Sequence, residues 1–285
     1  MNNNFNSPLS VGRIDYTNAW PLYHHLESYT EHAGIEVISR VPSELNRMLQ
    51  EGELQVSAIS SFSYGLHCNQ YVLLPDLSVG SEGNVNSILL FLKEPMEVAR
   101  PKRIAVTTAS ATSVNLLKIL MAYYFEHNPI YEPAEPDIDQ MLESADGALL
   151  IGDPAIAASW TDRGLHVIDL GGLWNKWTGL AMTYAVVAAR KEAVAAQPNR
   201  IRALHHAFLA SKQQSLAELT PIINKACIQL GGDSSYWQMY FTSLQYDFGH
   251  KQREGLSLYF RYAKQLGLLE HEVNLTYYNE DQSAE

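Results

Sequence analysis

Five hydroxyl side chains fall within seven residues at Thr107-Thr108-Ala109-Ser110-Ala111-Thr112-Ser113. The run separates an apolar segment ending at Val106 from a helical pattern that extends through Val114 to about Glu126. At a helix start the first backbone N–H groups lack intrahelical partners and the dipole is positive, so hydroxyls there form a cradle for a carboxylate or phosphate. The same residue types also cap helices. No Gly-x-Gly-x-x-Gly and no Gly-Lys-Ser/Thr occurs, which argues against a nucleotide phosphate loop. Thr107, Thr108 and Ser110 are therefore candidate donors to a small carboxylate ligand.

Other polar groups gather where apolar runs give way to helical ones. Asp15-Tyr16-Thr17-Asn18-Ala19-Trp20-Pro21 follows a first strand, and Pro21 suits an opening helical turn. Asn18 can cap that helix or project its amide into a cleft. Ser60-Ser61-Phe62-Ser63-Tyr64 repeats the arrangement, so Ser60 and Ser61 are either caps or ligand donors. The polar turn Ser81 to Asn86 places Asn86 and Ser87 ahead of another apolar strand. Asp153, before Pro154, marks a helix start beside the end of the strand Ala148 to Ile151. Trp174 and Trp177 share one helical face and could roof an apolar ring or pack in the core.

Several chemistries find no support. His24-His25 and His205-His206 are adjacent pairs that point apart on a helix, without Cys or carboxylates at ligand spacing, so no metal is expected. There is no Gly-x-Ser-x-Gly elbow and no Cys-x-x-Cys pair. Glu132, Glu135, Asp137 and Asp139 crowd a proline-rich stretch and read as a solvated turn. Cys68 and Cys227 read as free thiols.

The 285 residues carry 20 Lys+Arg and 31 Asp+Glu, a net charge of −11. An acidic chain without a basic stripe is not expected to bind nucleic acid. It also repels an anionic ligand at long range, so local N–H and hydroxyl donors must do the capturing. No apolar run approaches the roughly 20 residues of a membrane span, and the opening residues lack a signal-peptide pattern. A cytoplasmic location is the expectation.

The elements that must position these groups alternate. Strands are predicted at Val11 to Ile14, Ile35 to Val41, Leu54 to Ser60, Ser87 to Leu92, Arg103 to Thr107, Ala148 to Ile151 and Thr183 to Ala188. Helices lie between them, including Glu44 to Glu51, capped by Ser43 and ended by Gly52. The strand from Leu54 alternates polar and apolar and is expected to be half-buried. This is an α/β pattern with mostly parallel sheets. The polar, twice-proline segment 94–102 and the stretch from Gly179 suggest two crossings between lobes. Lobe one then comprises 1–93 and 184–285, with the helical tail packed back on it, and 94–183 forms an inserted lobe two. The cleft between lobes is the default ligand site.

With those residues in view the chain resembles the chorismate dehydratase family of the futalosine route to menaquinone. The resemblance rests on Gly12 to Asn18 with Trp20-Pro21-Leu22, Val41 to Asn46, Val56 to Ser61, Leu74 to Ser78, Ser87 to Phe91 and Thr107 to Leu117. It spans roughly residues 10–270. It implies a two-lobed, type II periplasmic-binding-protein-like fold, with water eliminated from chorismate to give 3-[(1-carboxyvinyl)oxy]benzoate. It implies no cofactor, and it implies that a carboxylate of the substrate itself serves as base. By the same resemblance Asn18 assists the elimination, and Ser87 positions the ring or its carboxylate. Asp15 departs from the small residue expected at its place. The sister dihydroxynaphthoate synthase is expected to carry a His where this chain has Ile151-Gly152-Asp153, which weighs against that activity. A solute-binding protein for a small carboxylate is the alternative from another class. Oligomeric state is not legible.

Overall fold

The computed structural model describes residues 8–31, 33–98 and 100–280. Two sheets organise it. The first six segments are β1 (Leu9–Ile14), a 3-10 turn (Thr17–Ala19), α1 (Trp20–Tyr23), α2 (Leu26–Thr30), β2 (Ile35–Arg40) and α3 (Pro42–Glu51). They are followed by β3 (Val56–Ser60), α4 (Ser61–His67) and β4 (Tyr71–Ser81). The chain then runs through β5 (Ile88–Leu92), β6 (Arg103–Thr107), α5 (Ala111–Ile119) with a π-helical continuation (Leu120–Tyr124), and β7 (Ile130–Ala134). Next come α6 (Ile138–Ser144), β8 (Gly147–Ile151), α7 (Gly152–Ser159), β9 (His166–Asp169) and α8 (Leu170–Thr178). The last elements are β10 (Met182–Arg190), α9 (Lys191–Ala196), α10 (Pro198–Ala217), α11 (Thr220–Leu230), α12 (Ser234–Ser243), β11 (Leu244–Gln245) and α13 (His250–Gln265).

Lobe one holds the sheet β11-β4-β10-β3-β1-β2, and lobe two holds β7-β6-β8-β5-β9. The β1–β2, β1–β3, β6–β7 and β6–β8 pairs are parallel, whereas β10 runs antiparallel to β3 and β4, and β5 antiparallel to β8 and β9. The expected boundary near residue 93 needs correction. β5 lies inside the lobe-two sheet, so the chain crosses at 82–87 and returns at 179–181, before β10. The prolines of 94–102 punctuate a turn between two strands of one sheet. β5 is apolar at every position because both of its faces are buried. Ile88, Leu90 and Leu92 face the main core, while Leu89 and Phe91 face a smaller one with Met141 and Ala155.

Two further expectations change. β3 is buried throughout instead of alternately, with Ser57 fitted into the space above Gly12 and donating to the Ala58 carbonyl at 2.9 Å. The tail does pack on lobe one through α10 against α1 and α2, but it also reaches lobe two. Trp160, at the end of α7, meets Trp237 of α12 edge-on at 5.9 Å, and Trp177 of α8 stacks on Tyr262 of α13 at 5.0 Å. The tryptophan pair Trp174 and Trp177 is thus packing: Trp174 is fully buried and donates to the Ala181 carbonyl at 3.2 Å. The α3 helix opens on Pro42 without a side-chain cap from Ser43, and Gly52 ends it at φ +82° as expected. Glu132 sits on the edge strand β7, and Asp137 caps α6. No helix among the described residues is long and apolar enough to cross a membrane.

Candidate active site

A narrow cleft lies between the lobes at the carboxyl ends of the strands, where ligands sit in open α/β sheets. Lobe one contributes Tyr16 and Asn18 after β1, Pro42 after β2 and Ser60 at the end of β3. Strands β4 and β10 add Val79, Tyr184 and Ala185, and lobe two adds Ile88, Ser110, Ser113 and Gly152. These lining residues carry hydroxyls, one amide and apolar surface, with no Lys, Arg or His among them.

Asn18 sits in the 3-10 turn and does not cap α1, whose N-cap position is Ala19. Its buried Oδ1 has no hydrogen-bond partner within the protein, an acceptor left for a ligand since buried polar atoms are nearly always paired. Ser60 also lines the cleft, and its Oγ caps α4 by accepting from the Ser63 N–H at 3.2 Å. Asn46 of α3 braces it from behind, donating Nδ2 to Ser60 Oγ at 3.3 Å and accepting the Ser60 N–H at 3.1 Å. Ser110 caps α5 by accepting the Ser113 N–H at 3.3 Å, and the two hydroxyls lie 3.1 Å apart. The expected hydroxyl cradle therefore narrows to Ser110 and Ser113.

The other candidates are engaged elsewhere. Thr107 Oγ1 accepts the Ala109 N–H at 3.2 Å, and Thr108 faces solvent. Ser61 is buried and donates to the Thr183 carbonyl at 2.8 Å. Asn86 adopts φ +59° in the first crossing, its N–H donating to Asp169 at 2.7 Å and its amide to Ser243 at 3.2 Å, away from the cleft. Ser87 is fully buried beside cleft-lining Ile88, donating to the Val85 carbonyl at 3.3 Å. Its own carbonyl accepts the Gly152 N–H at 2.7 Å. Asp153 lies in the first turn of α7 instead of capping it, and its carboxylate accepts the Thr17 N–H of lobe one at 3.3 Å. Burial raises its pKa, Thr17 opposes the shift, and nearby Asp15 adds to it.

Two cleft residues escaped sequence reasoning. Tyr184 projects from the largely apolar β10 and pairs its hydroxyl with Ser81 Oγ at 2.9 Å. Tyr16 lays its ring against Gly152, where an added Cβ would sit 3.1 Å from the ring. Only the glycine punctuation of Ile151-Gly152-Asp153 hinted at such an approach. Among the described residues no three or more His, Cys, Asp or Glu side chains form a group suited to a metal.

Residues 9–265 match the family model described as menaquinone biosynthesis. The chain belongs to this family. Among its curated relatives is the chorismate dehydratase of Thermus thermophilus, 35% identical over 276 residues, covering 92% of this chain and 96% of the relative. A second relative from Thermus thermophilus, 1,4-dihydroxy-6-naphtoate synthase, is 25% identical over 230 residues, covering 79% of this chain and 81% of its own length. The fold is shared with the periplasmic aliphatic sulphonate binding protein SsuA of Escherichia coli, with a TM-score of 0.65 at 13% identity, covering 94% and 96% of the two chains. This chain thus has a binding-protein-like, two-lobed fold.

Proposed function

We propose that this chain is a chorismate dehydratase, a hydro-lyase acting in the cytoplasm on the futalosine route to menaquinone. The observation that carries this reading is the nearly full-length match to a chorismate dehydratase, 35% identical over 92% of the chain. The cleft supports it with groups suited to the substrate. Ser60, Ser110 and Ser113 offer hydroxyls to carboxylates, and the partnerless Oδ1 of Asn18 offers an acceptor to a hydroxyl. The naphthoate synthase is the weaker relative by identity and coverage.

In the reaction the ring carbon bearing the enolpyruvyl ether loses a proton, and its C–H electrons form the new ring double bond. The neighbouring carbon releases hydroxide, which leaves as water with that proton. Aromatisation drives the step. The lining carries hydroxyls and an amide but no basic side chain, which suits a substrate carboxylate as the base. Asn18 Nδ2 hydrogen-bonds the departing oxygen, an interaction that strengthens as charge develops there. Ser87, buried at the hinge, holds the crossing strand against which the ring lies. Closing the lobes excludes water.

The test is purified protein mixed with chorismate, followed by chromatography and mass spectrometry. The expected product is lighter than chorismate by one water and aromatic in its absorbance. Conversion no faster than the uncatalysed background would leave only a carboxylate-binding role.

A further inference from the structure

The lobes meet across the cleft through two hydrogen bonds of one kind. In each, a lobe-two side chain accepts a backbone N–H from a helix start of lobe one. Asp153, in the first turn of α7, takes the Thr17 N–H at 3.3 Å. Thr112, in the first turn of α5, takes the Phe62 N–H of α4 at 2.9 Å. Such N–H groups have no acceptor inside their own helix, so these contacts satisfy them only while the lobes are together. Thr112 is fully buried, and its carbonyl accepts the Tyr259 hydroxyl at 3.1 Å. Each contact lies next to the cleft lining: Asn18 follows Thr17, Ser113 follows Thr112, and Gly152 precedes Asp153.

We propose that Asp153 and Thr112 are positioning residues that clasp the helix starts of lobe one and so hold Asn18 opposite the serine wall of lobe two. The proposal rests on the dehydratase reading for its kinetic consequence. Neither side chain touches the reacting atoms; each acts through the backbone of its partner. A misplacement of about 1 Å from a change remote from the chemistry can cost about 100-fold in rate.

Asp153→Ala and Thr112→Val remove the two acceptors, while Asp153→Asn and Thr112→Ser keep an oxygen in place. With chorismate as substrate, the first pair should lose about 10- to 100-fold in kcat with a smaller change in KM. The conservative pair should recover most of that loss. Small-angle scattering of the unliganded protein gives a second readout that does not need activity. The double variant Asp153→Ala/Thr112→Val should exceed the wild-type radius of gyration, which for 285 residues is about 19 Å. Circular dichroism establishes that each variant is folded. Kinetics within twofold of wild type for both truncations, or unchanged scattering of the folded double variant, overturns the proposal. An Asp153→Asn protein as impaired as Asp153→Ala would assign the effect to charge and remove Asp153 from this role. If the wild type itself fails to dehydrate chorismate, the dehydratase reading falls while scattering still decides the clasp.

Discussion

Tyr240 donates its hydroxyl to Ser87 Oγ at 3.0 Å, with both side chains buried. The first belongs to α12 near the end of the chain, and the second to the crossing between lobes. Ser87 in turn donates a hydrogen bond to the Val85 carbonyl, so its hydroxyl is held by the protein on both sides. A hinge serine fixed in this way shapes the cleft chiefly by where it places the backbone of β5.

Tyr240→Phe should therefore destabilise the protein by about 1–2 kcal/mol, the usual result of leaving one buried partner unpaired. Calorimetry should show a lowered Tm. An unchanged Tm together with unchanged chorismate turnover would show that the hinge does not depend on this bond.

Asn18→Ala should lower kcat by about 100- to 1000-fold, the range seen when one donor to a developing oxyanion is lost. KM should change far less, because the interaction strengthens mainly in the transition state. Steady-state kinetics checks this split. A variant with raised KM and intact kcat would make Asn18 a binding residue only.

Gly152→Ala tests the approach of the two lobes. Gly152 has φ +61°, and an added Cβ would press on the Tyr16 ring. The backbone conformation alone costs about 1–2 kcal/mol for a residue with a side chain. The Tm should fall, and kcat/KM should fall further because Tyr16 must withdraw. Retained kcat/KM would show that the cleft tolerates a wider spacing there.

The raised pKa of Asp153 gives a stability signature with a definite sign. Burial is its main cause, and the groups around the carboxylate are Thr17, Asp15, Tyr16, Tyr236 and Tyr240. A carboxyl with a folded pKa above its ordinary 3.8 binds more protons in the folded state. Its contribution to stability falls as pH rises from that value through the folded one and is level above. Asp153→Asn lacks this loss. The stability of the variant relative to wild type should therefore climb across that window and then flatten. Urea unfolding over a pH series measures it, and a difference that is flat or falls across the window contradicts the assignment.

Much of the frame was legible because local patterns report local structure. Arg103–Thr107 is predicted to the residue, and Gly52 closes α3 in the left-handed conformation. Four things were not. β4 carries Pro75 and Asp76, which look like a break, yet the strand continues past them with a register shift against β10 and with Asp76 at φ +57°. β5 reads as a buried strand, but an apolar run does not say which of two sheets buries it. The hydroxyl run 107–113 was visible as a helix start, yet only its Ser110 and Ser113 reach the cleft surface, because strand pleat and helix phase aim the others away. Asp153 looked like a cap since its actual partner, Thr17, lies 136 residues away.

The reach of the C-terminal helices has a consequence for biogenesis. Ser87 and Tyr240 are 153 residues apart, a span that takes about 8–30 s to synthesise at about 5–20 residues per second. During that interval lobe two can form its sheet, but Trp160 and Trp177 still lack their partners in α12 and α13. The nascent chain thus presents two indole rings and an unpinned crossing until its final helices dock. Truncation within α12 or α13 should accordingly yield a sticky, chaperone-dependent species, with the enzyme completed only in the last moments of translation.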